Sequence, residues 1–207
     1  MARNLDPSIK AQLLEKCLAV VLRHGIADVS LRTLASEVGT SARMLVYHFG
    51  SAENLSMELI KAFSRQEKFG FQALLEKQAP GQTVGEFFQR HWEPFLADTY
   101  KPIFTLFFEL YVRSLRDHET YAFFFDDVLH EWLALMENSL RERYGVTADA
   151  SAWATLIVTA ARGLLLDWLA SGETERIRQA IEVFKQNLDH SISLRTDRRS
   201  SEGRLMK

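Results

Sequence analysis

Residues 30–49 read Ser30-Leu-Arg-Thr-Leu-Ala-Ser-Glu-Val-Gly-Thr-Ser-Ala-Arg-Met-Leu-Val-Tyr-His-Phe49, and this stretch decides the fold. Ser30 is an N-cap residue type, and Leu31, Leu34, Ala35 and Val38 then repeat at helical spacing. Gly39 follows where a tight turn needs positive φ. Ser41 is a second N-cap, opening a short helix over 42–49 whose Leu45 meets Leu34 and Val38. Ala35 is small where the two helices must cross. Together these residues predict a helix-turn-helix, with the N-terminus of the second helix left open to a phosphate or a base edge.

The pattern outward from this motif is helical throughout. Asp6-Pro7 reads as a helix start, with Ile9, Leu13, Cys17, Val20, Val21 and His24 on a 3.6-residue period and Gly25 as the stop. Cys17 sits on that apolar stripe as a small buried hydrophobe. Gly50-Ser51 ends the motif, and Ser51 opens a long helix to about residue 77. Further helices are expected over 83–99, 102–117, 120–144, 149–171 and 174–190, separated by Pro, Gly and Asp breaks. No stretch alternates as a strand does. The expected fold class is all-α. Residues 1–50 form a helix-turn-helix module, 51–190 a helical effector-binding and dimerisation domain, and 191–207 a polar, disordered tail.

Composition bounds the function. The 207 residues include 25 Lys+Arg and 27 Asp+Glu, a net charge of −2, which taken alone argues against a nucleic-acid binder. By segment the balance is +2 over 1–50, −7 over 51–190 and +3 over 191–207. A mildly basic module thus precedes an acidic one, and dimerisation would bring the basic head to about +4. One cysteine excludes an internal disulfide framework. The N-terminal residues lack the apolar run of a signal peptide, and a cytoplasmic location is expected. Residues 152–170 are apolar almost all round, but Arg162 and Asp167 would each cost about 2.5–3.5 kcal/mol at a bilayer centre. A helix buried on two sides, by its own domain and by a partner, is the better reading.

The motif and its flanks resemble the tetracycline-repressor (TetR-type) family of transcription regulators. The resemblance is carried by Gly25, Leu34-Ala35, Val38-Gly39-Thr40-Ser41, Leu45, Tyr47-His48-Phe49, Gly50-Ser51 and Glu53-Asn54-Leu55, within about residues 9–60. It implies a divergent helical C-terminal domain whose last two long helices form a four-helix dimer interface. Two positions depart from the family pattern: Val46 replaces a common tyrosine, and Ala52 a common lysine, both usually at the DNA backbone. Losing a lysine–phosphate contact lowers the salt slope by about one ion. Arg3, Lys10 and Arg32 are the residues that can compensate.

The expected DNA-contacting residues are Ser30, Arg32, Ser41, Ala42, Arg43, Met44 and Tyr47. Arg43 is the candidate base reader, because arginine can meet guanine O6 and N7 together. His48 and Phe49 face inward. Fourteen aromatic residues lie between 87 and 132. They form either plain core or an apolar cavity with a few polar anchors. His91, Trp92, Phe104, Phe108, Tyr111, Phe124 and Asp127 are the expected ligand residues. Phe123, Phe124 and Phe125 cannot all face one core, so at least one should meet a cavity or a partner. Trp153, Leu156, Ile157, Leu164, Trp168, Ile181 and Phe184 are expected at an isologous dimer face.

Asp126, Asp127 and His130 stand about one turn apart but lack the three or four convergent ligands of a metal site. No cofactor-binding glycine run, P-loop or nucleophile elbow is present, so neither a cofactor nor an enzyme is expected. These readings predict a homodimeric regulator acting on a palindromic operator and released by a small apolar or aromatic ligand. The alternative is a DNA-binding adaptor governed by a protein partner, with no small ligand.

Overall fold

The computed structural model describes the backbone of residues 7–24 and 30–205, and side chains over 8–23 and 30–193. The expected cap at Asp6, the stop at Gly25 and Arg3 lie outside the described residues. Nine α-helices are described: α1 (Pro7–His24), α2 (Leu31–Glu37), α3 (Ala42–Phe49), α4 (Ala52–Glu76), α5 (Val84–Trp92), α6 (Lys101–Ser114), α7 (Glu131–Tyr144), α8 (Ala150–Ser171) and α9 (Thr174–Leu205). There is no strand among the described residues.

Two compact units emerge. One comprises residues 1–69 and 97–129, the other 70–96 and 130–207. The division differs from the break that charge and composition suggest near residue 50. Its cause within the first unit is the packing of α1 on α6, which joins residues 97–129 to the helix-turn-helix. α4 contributes to both units, its residues up to Phe69 to the first and from Gly70 to the second.

Three expected helices change shape. The helix over 83–99 stops at Trp92 and continues as two short 3₁₀ turns, Glu93–Leu96 and Asp98–Tyr100. Pro94, which has no N–H to donate, stands in the first of these. The helix over 120–144 opens instead with turns and a π-helical stretch, Phe124–His130. Its wider turn buries Phe124 completely while Phe123 and Phe125 stay half-buried. A polar tail is expected from 191. α9 continues helical to Leu205, since its Arg, Ser, Asp and Glu residues are helix-compatible and no proline intervenes.

In the second unit two carboxylates of α9 hold α5: Glu182 accepts from Gln89 at 3.3 Å, and Asp189 meets the start of the helix. Thr83 Oγ1 and the Gly85 amide both donate to Asp189, at 2.7 Å each. Thr83 also caps α5 in a capping box with Glu86. Gly85 is required by proximity: a Cβ there would lie 2.6 Å from Asp189 Oδ2 and 2.7 Å from the Lys185 carbonyl oxygen. Gly85→Ala is therefore expected to lower the unfolding free energy by about 1–3 kcal/mol, read from urea denaturation. An unchanged urea midpoint would show that α5 and α9 can part without loss.

Candidate nucleic-acid interface and ligand site

The helix-turn-helix forms as its local chemistry dictates. Ser30 Oγ accepts from the Thr33 amide at 3.1 Å, and Ser41 Oγ from the Met44 amide at 3.2 Å. Gly39 adopts φ of 73° and Gly50 84°, closing the turns before α3 and α4. The Thr40 amide donates to the Ala35 carbonyl at 2.8 Å, locking the turn. Leu34, Ala35, Val38, Leu45, His48 and Phe49 are buried. Arg43, Met44, Val46 and Tyr47 are exposed on α3, the last three at 41%, 40% and 50%. Ser30, Arg32 and Ser41 are also exposed, and Ala42 is half-buried.

Two features of this surface were not singled out from sequence. Val46, noted only as a departure from a family pattern, is an exposed apolar side chain one turn beyond Ala42 and Arg43. Its 3.6-residue spacing was the available signal. Lys10, a possible compensating phosphate contact, is instead engaged inside the unit. Its ammonium lies 3.9 Å from Glu58 and 5.4 Å from the centre of the Phe49 ring.

α4 starts immediately after this head, and Glu53 in its first turn is the anchor. Tyr121 OH donates to Glu53 Oε1 in a short hydrogen bond, and Arg113 Nη1 lies 3.5 Å from the same oxygen. Burial of the Tyr121 phenol raises its pKa, and the adjacent Glu53 acts in the same direction. This triad joins the start of α4, the last turn of α6 and the turn before the π-helical stretch.

The expected ligand residues divide between the two units. Phe104, Phe108, Tyr111, Phe124 and Asp127 belong to the first, His91 and Trp92 to the second. In the first unit Phe104, Phe63 and Tyr100 form a ring trio with centroids 5.7–6.2 Å apart. Phe108, Phe107, Tyr111 and Phe124 form another cluster. Phe124 and Trp92 are buried. Asp127 is not an anchor inside an apolar site. It is exposed and pairs with Lys61 at 3.4 Å, and its carbonyl accepts from Lys68 at 3.0 Å. Phe123 lies under the same Lys61 ammonium at 4.5 Å, and Phe125 stacks on His118.

In the second unit His91 is ringed by Phe71, Phe87, Phe95 and Trp132, with centroids 4.9–6.5 Å away. Burial among these rings lowers its pKa to about 4. Nearby, Phe87 also meets Tyr144, whose buried hydroxyl has no hydrogen-bond partner. Among the described residues no group of three or more His, Cys, Asp or Glu is placed to hold a metal ion.

The expected dimer face needs correction. Ile157, Trp168 and Ile181 are 1%, 0% and 1% exposed, inside the core of their own unit. Phe184 packs on Phe88 of α5, with centroids 5.2 Å apart. Trp168 Nε1 donates to Thr174 Oγ1 at 3.0 Å, tying the turn between α8 and α9. Trp153 and Leu164 are half-buried, and Leu156 is exposed. The reason is phase: residues 154, 157, 158, 165 and 168 share the inner face of α8. Ala152, Leu156, Thr159, Gly163, Leu166 and Ala170 lie outward and exposed. By length and composition α8 is also the one described helix able to cross a membrane, with 28% of its apolar window buried.

A capped helix-turn-helix is followed by a long helix and by further helices in both units. The fold is similar to that of solved structures described as TetR-family transcriptional regulators. A protein from Rhodococcus sp. described as such is 16% identical, over 87% of this chain and 98% of that one, with a TM-score of 0.61. A transcriptional regulator from Saccharomonospora viridis, solved in complex with choline, is 20% identical over 87% and 97%, with a TM-score of 0.67. In sequence, the chain is 25% identical over 119 residues to the HTH-type transcriptional regulator BetI of Agrobacterium fabrum. That match spans 56% of each, so the chain matches about half the length of this curated relative. No protein-family model matches the chain.

The burial of His91 has a consequence for stability. An unfolded chain protonates this residue near pH 6.5, whereas the folded one resists until about 4. The unfolded state therefore binds more protons between these values, and stability falls as pH drops through that window. Between pH 7 and 5 the urea midpoint of His91→Phe should rise relative to that of the unaltered protein, because the variant lacks this proton uptake on unfolding. An equal slope in the variant would place the proton uptake elsewhere.

Proposed function

We propose that this chain is a homodimeric, DNA-binding transcription regulator, a repressor released by a small molecule. The observation that carries the reading is the surface of α3. Its inner residues Leu45, His48 and Phe49 are buried, while Arg43, Met44, Val46 and Tyr47 stand exposed beside a serine-capped N-terminus. Such a slender helix fits a major groove, and its N-terminal side chains reach base edges.

In this reading Arg43 reads a guanine, and Ser30, Arg32, Ser41 and Tyr47 hold phosphates. Ala42, Met44 and Val46 fit against thymine methyls. The outward face of α8, with Leu156 and Leu166, pairs with a second copy about a twofold axis. The two recognition helices then meet a palindromic operator in grooves about 34–36 Å apart, or a multiple of that. Effector binding in the helical domain shifts the population towards arrangements in which this spacing fails. The Glu53–Arg113–Tyr121 triad is the link through which α6 moves the start of α4. Choline bound to a protein of this fold supports a small-molecule effector. The working compartment is the cytoplasm, and the chain has no catalytic role.

Arg43→Ala is expected to weaken operator binding and to relax preference at one base pair, with about 1–3 kcal/mol of discrimination lost there. Binding measured on an operator library checks this; uniform weakening across all sequences makes Arg43 a phosphate contact. Leu156→Glu should yield monomers in sedimentation velocity at micromolar concentration, where the unaltered protein runs as a dimer. A monomeric unaltered protein overturns the twofold arrangement.

A further inference from the structure

We infer that residues 121–130 form a two-register switch, in which a one-residue slip of the π-helical turn releases Glu53 from Tyr121. The inference rests on the regulator reading above and supplies two states that differ at the start of α4.

The helix that runs into α7 begins at Ala122, and its stretch Phe124–His130 is π-helical. A π turn closes each hydrogen-bonded ring with one residue more than an α turn, and such turns are rare. Three consecutive rings meet three different surroundings here. Phe123 lies under the Lys61 ammonium at 4.5 Å. Phe124 is buried against Phe107 and Tyr111, with centroids 5.2 and 5.7 Å away. Phe125 stacks on His118 at 4.8 Å. Downstream, Lys61 and Lys68 both hold Asp127. Upstream, residues 115–120 are exposed. The bonds that tie them to the helix are long: the Tyr121 amide donates to the Asp117 carbonyl at 3.3 Å, and the Ala122 amide to that of Glu119 at 3.4 Å.

Relaxing the π turn to an α-helix passes one residue back into the exposed turn at 115–120, which can take it up. Asp127 is the fixed point. Phe125 then enters the buried place of Phe124, and Phe124 the place of Phe123 beneath Lys61. The core and the lysine each keep a ring, because the slip exchanges one phenylalanine for another. Phe123 moves to the exposed place of Ala122. The polar contact does not survive: Ala122 enters the place of Tyr121, and a methyl group cannot donate to Glu53. The registers therefore differ by one charge-assisted hydrogen bond and one exposed ring, set against regular α-helical bonding. A molecule that favours one arrangement of the rings shifts the population. Glu53 stands in the first turn of α4, so the slip reaches the segment directly after the helix-turn-helix.

The test is fluorine NMR of the full chain labelled with 3-fluorotyrosine. Five tyrosines give the signals, and Tyr121→Phe identifies that of Tyr121. Glu53→Ala marks its position when the bond cannot form. Phe123→Ala removes a ring that only the observed register places under Lys61, and should raise the slipped population roughly tenfold. The Tyr121 signal should then shift, or split, towards its position in Glu53→Ala. Phe125→Ala leaves no ring to refill the buried place, and should keep the signal where the unaltered protein has it. Deleting Phe125 from Phe123→Ala removes the extra residue, and should return the signal. Thermal melts confirm folding; if the deletion variant is unfolded, Phe123→Ala/Phe125→Ala decides by the same return. On the operator selected from the library, Phe123→Ala should bind about threefold or more weakly, with base preference and salt slope unchanged.

The switch is overturned if Phe123→Ala leaves the Tyr121 signal in place, or if neither the deletion nor the double variant returns it. It is also overturned if the signal moves and operator affinity does not. A chain that binds no operator in any form removes the regulator reading, while the fluorine signals still decide between one register and two.

Discussion

A single carboxylate ties the start of α4, directly after the helix-turn-helix, to the rest of its unit. Glu53 stands three residues beyond Gly50, whose positive φ ends α3, and in the first turn of the helix that Ser51 caps. It accepts from buried Tyr121 and pairs with Arg113. Each partner comes from a different segment, one from the last turn of α6 and one from the turn that follows. The start of α4 is therefore set by residues sixty or more positions away in sequence. Exposed ion pairs contribute little by themselves. Here the buried phenol supplies geometry that the exposed Arg113 pair alone would not.

The helix-turn-helix was legible because everything that forms it is local. Ser30, Ser41 and Gly39 announce caps and a turn within twelve residues, and both caps bond as their residue types predict. The faces of α8 were less legible because its apolar residues surround the whole helix. Leu156 and Ile157 look equivalent in sequence, yet 100° of rotation separates an exposed side chain from a buried one. Only packing against the neighbouring helices selects between them. The same holds for the three phenylalanines at 123–125. Their conflict was readable, but not its outcome, a π-helical turn that buries Phe124 while Phe123 meets Lys61 and Phe125 meets His118.

The candidate ligand residues were the hardest to read. Aromatic density identifies a ring-rich region but does not separate core from lining. Trp92 and Phe124 are buried, which their aromatic character alone does not distinguish from the half-buried Phe108 and Tyr111. Asp127 drew attention for its charge, yet an aspartate with two lysines at hand is already satisfied.

His91 and Glu67 show how burial acts on opposite charge types. Burial favours the neutral form of each, lowering the imidazole pKa and raising the carboxyl pKa. Their contributions to stability therefore run in opposite directions with pH. The imidazole disfavours the folded state as pH falls below 6.5, and the carboxyl disfavours it as pH rises from 4.5 towards 7. Neither group is needed to hold the rings together, since phenylalanine or glutamine would pack without the desolvation cost. A fold that retains two such groups among aromatic side chains gives up stability at both. The net charge of −2 likewise averages over unlike segments, +2 over residues 1–50 and −7 over 51–190.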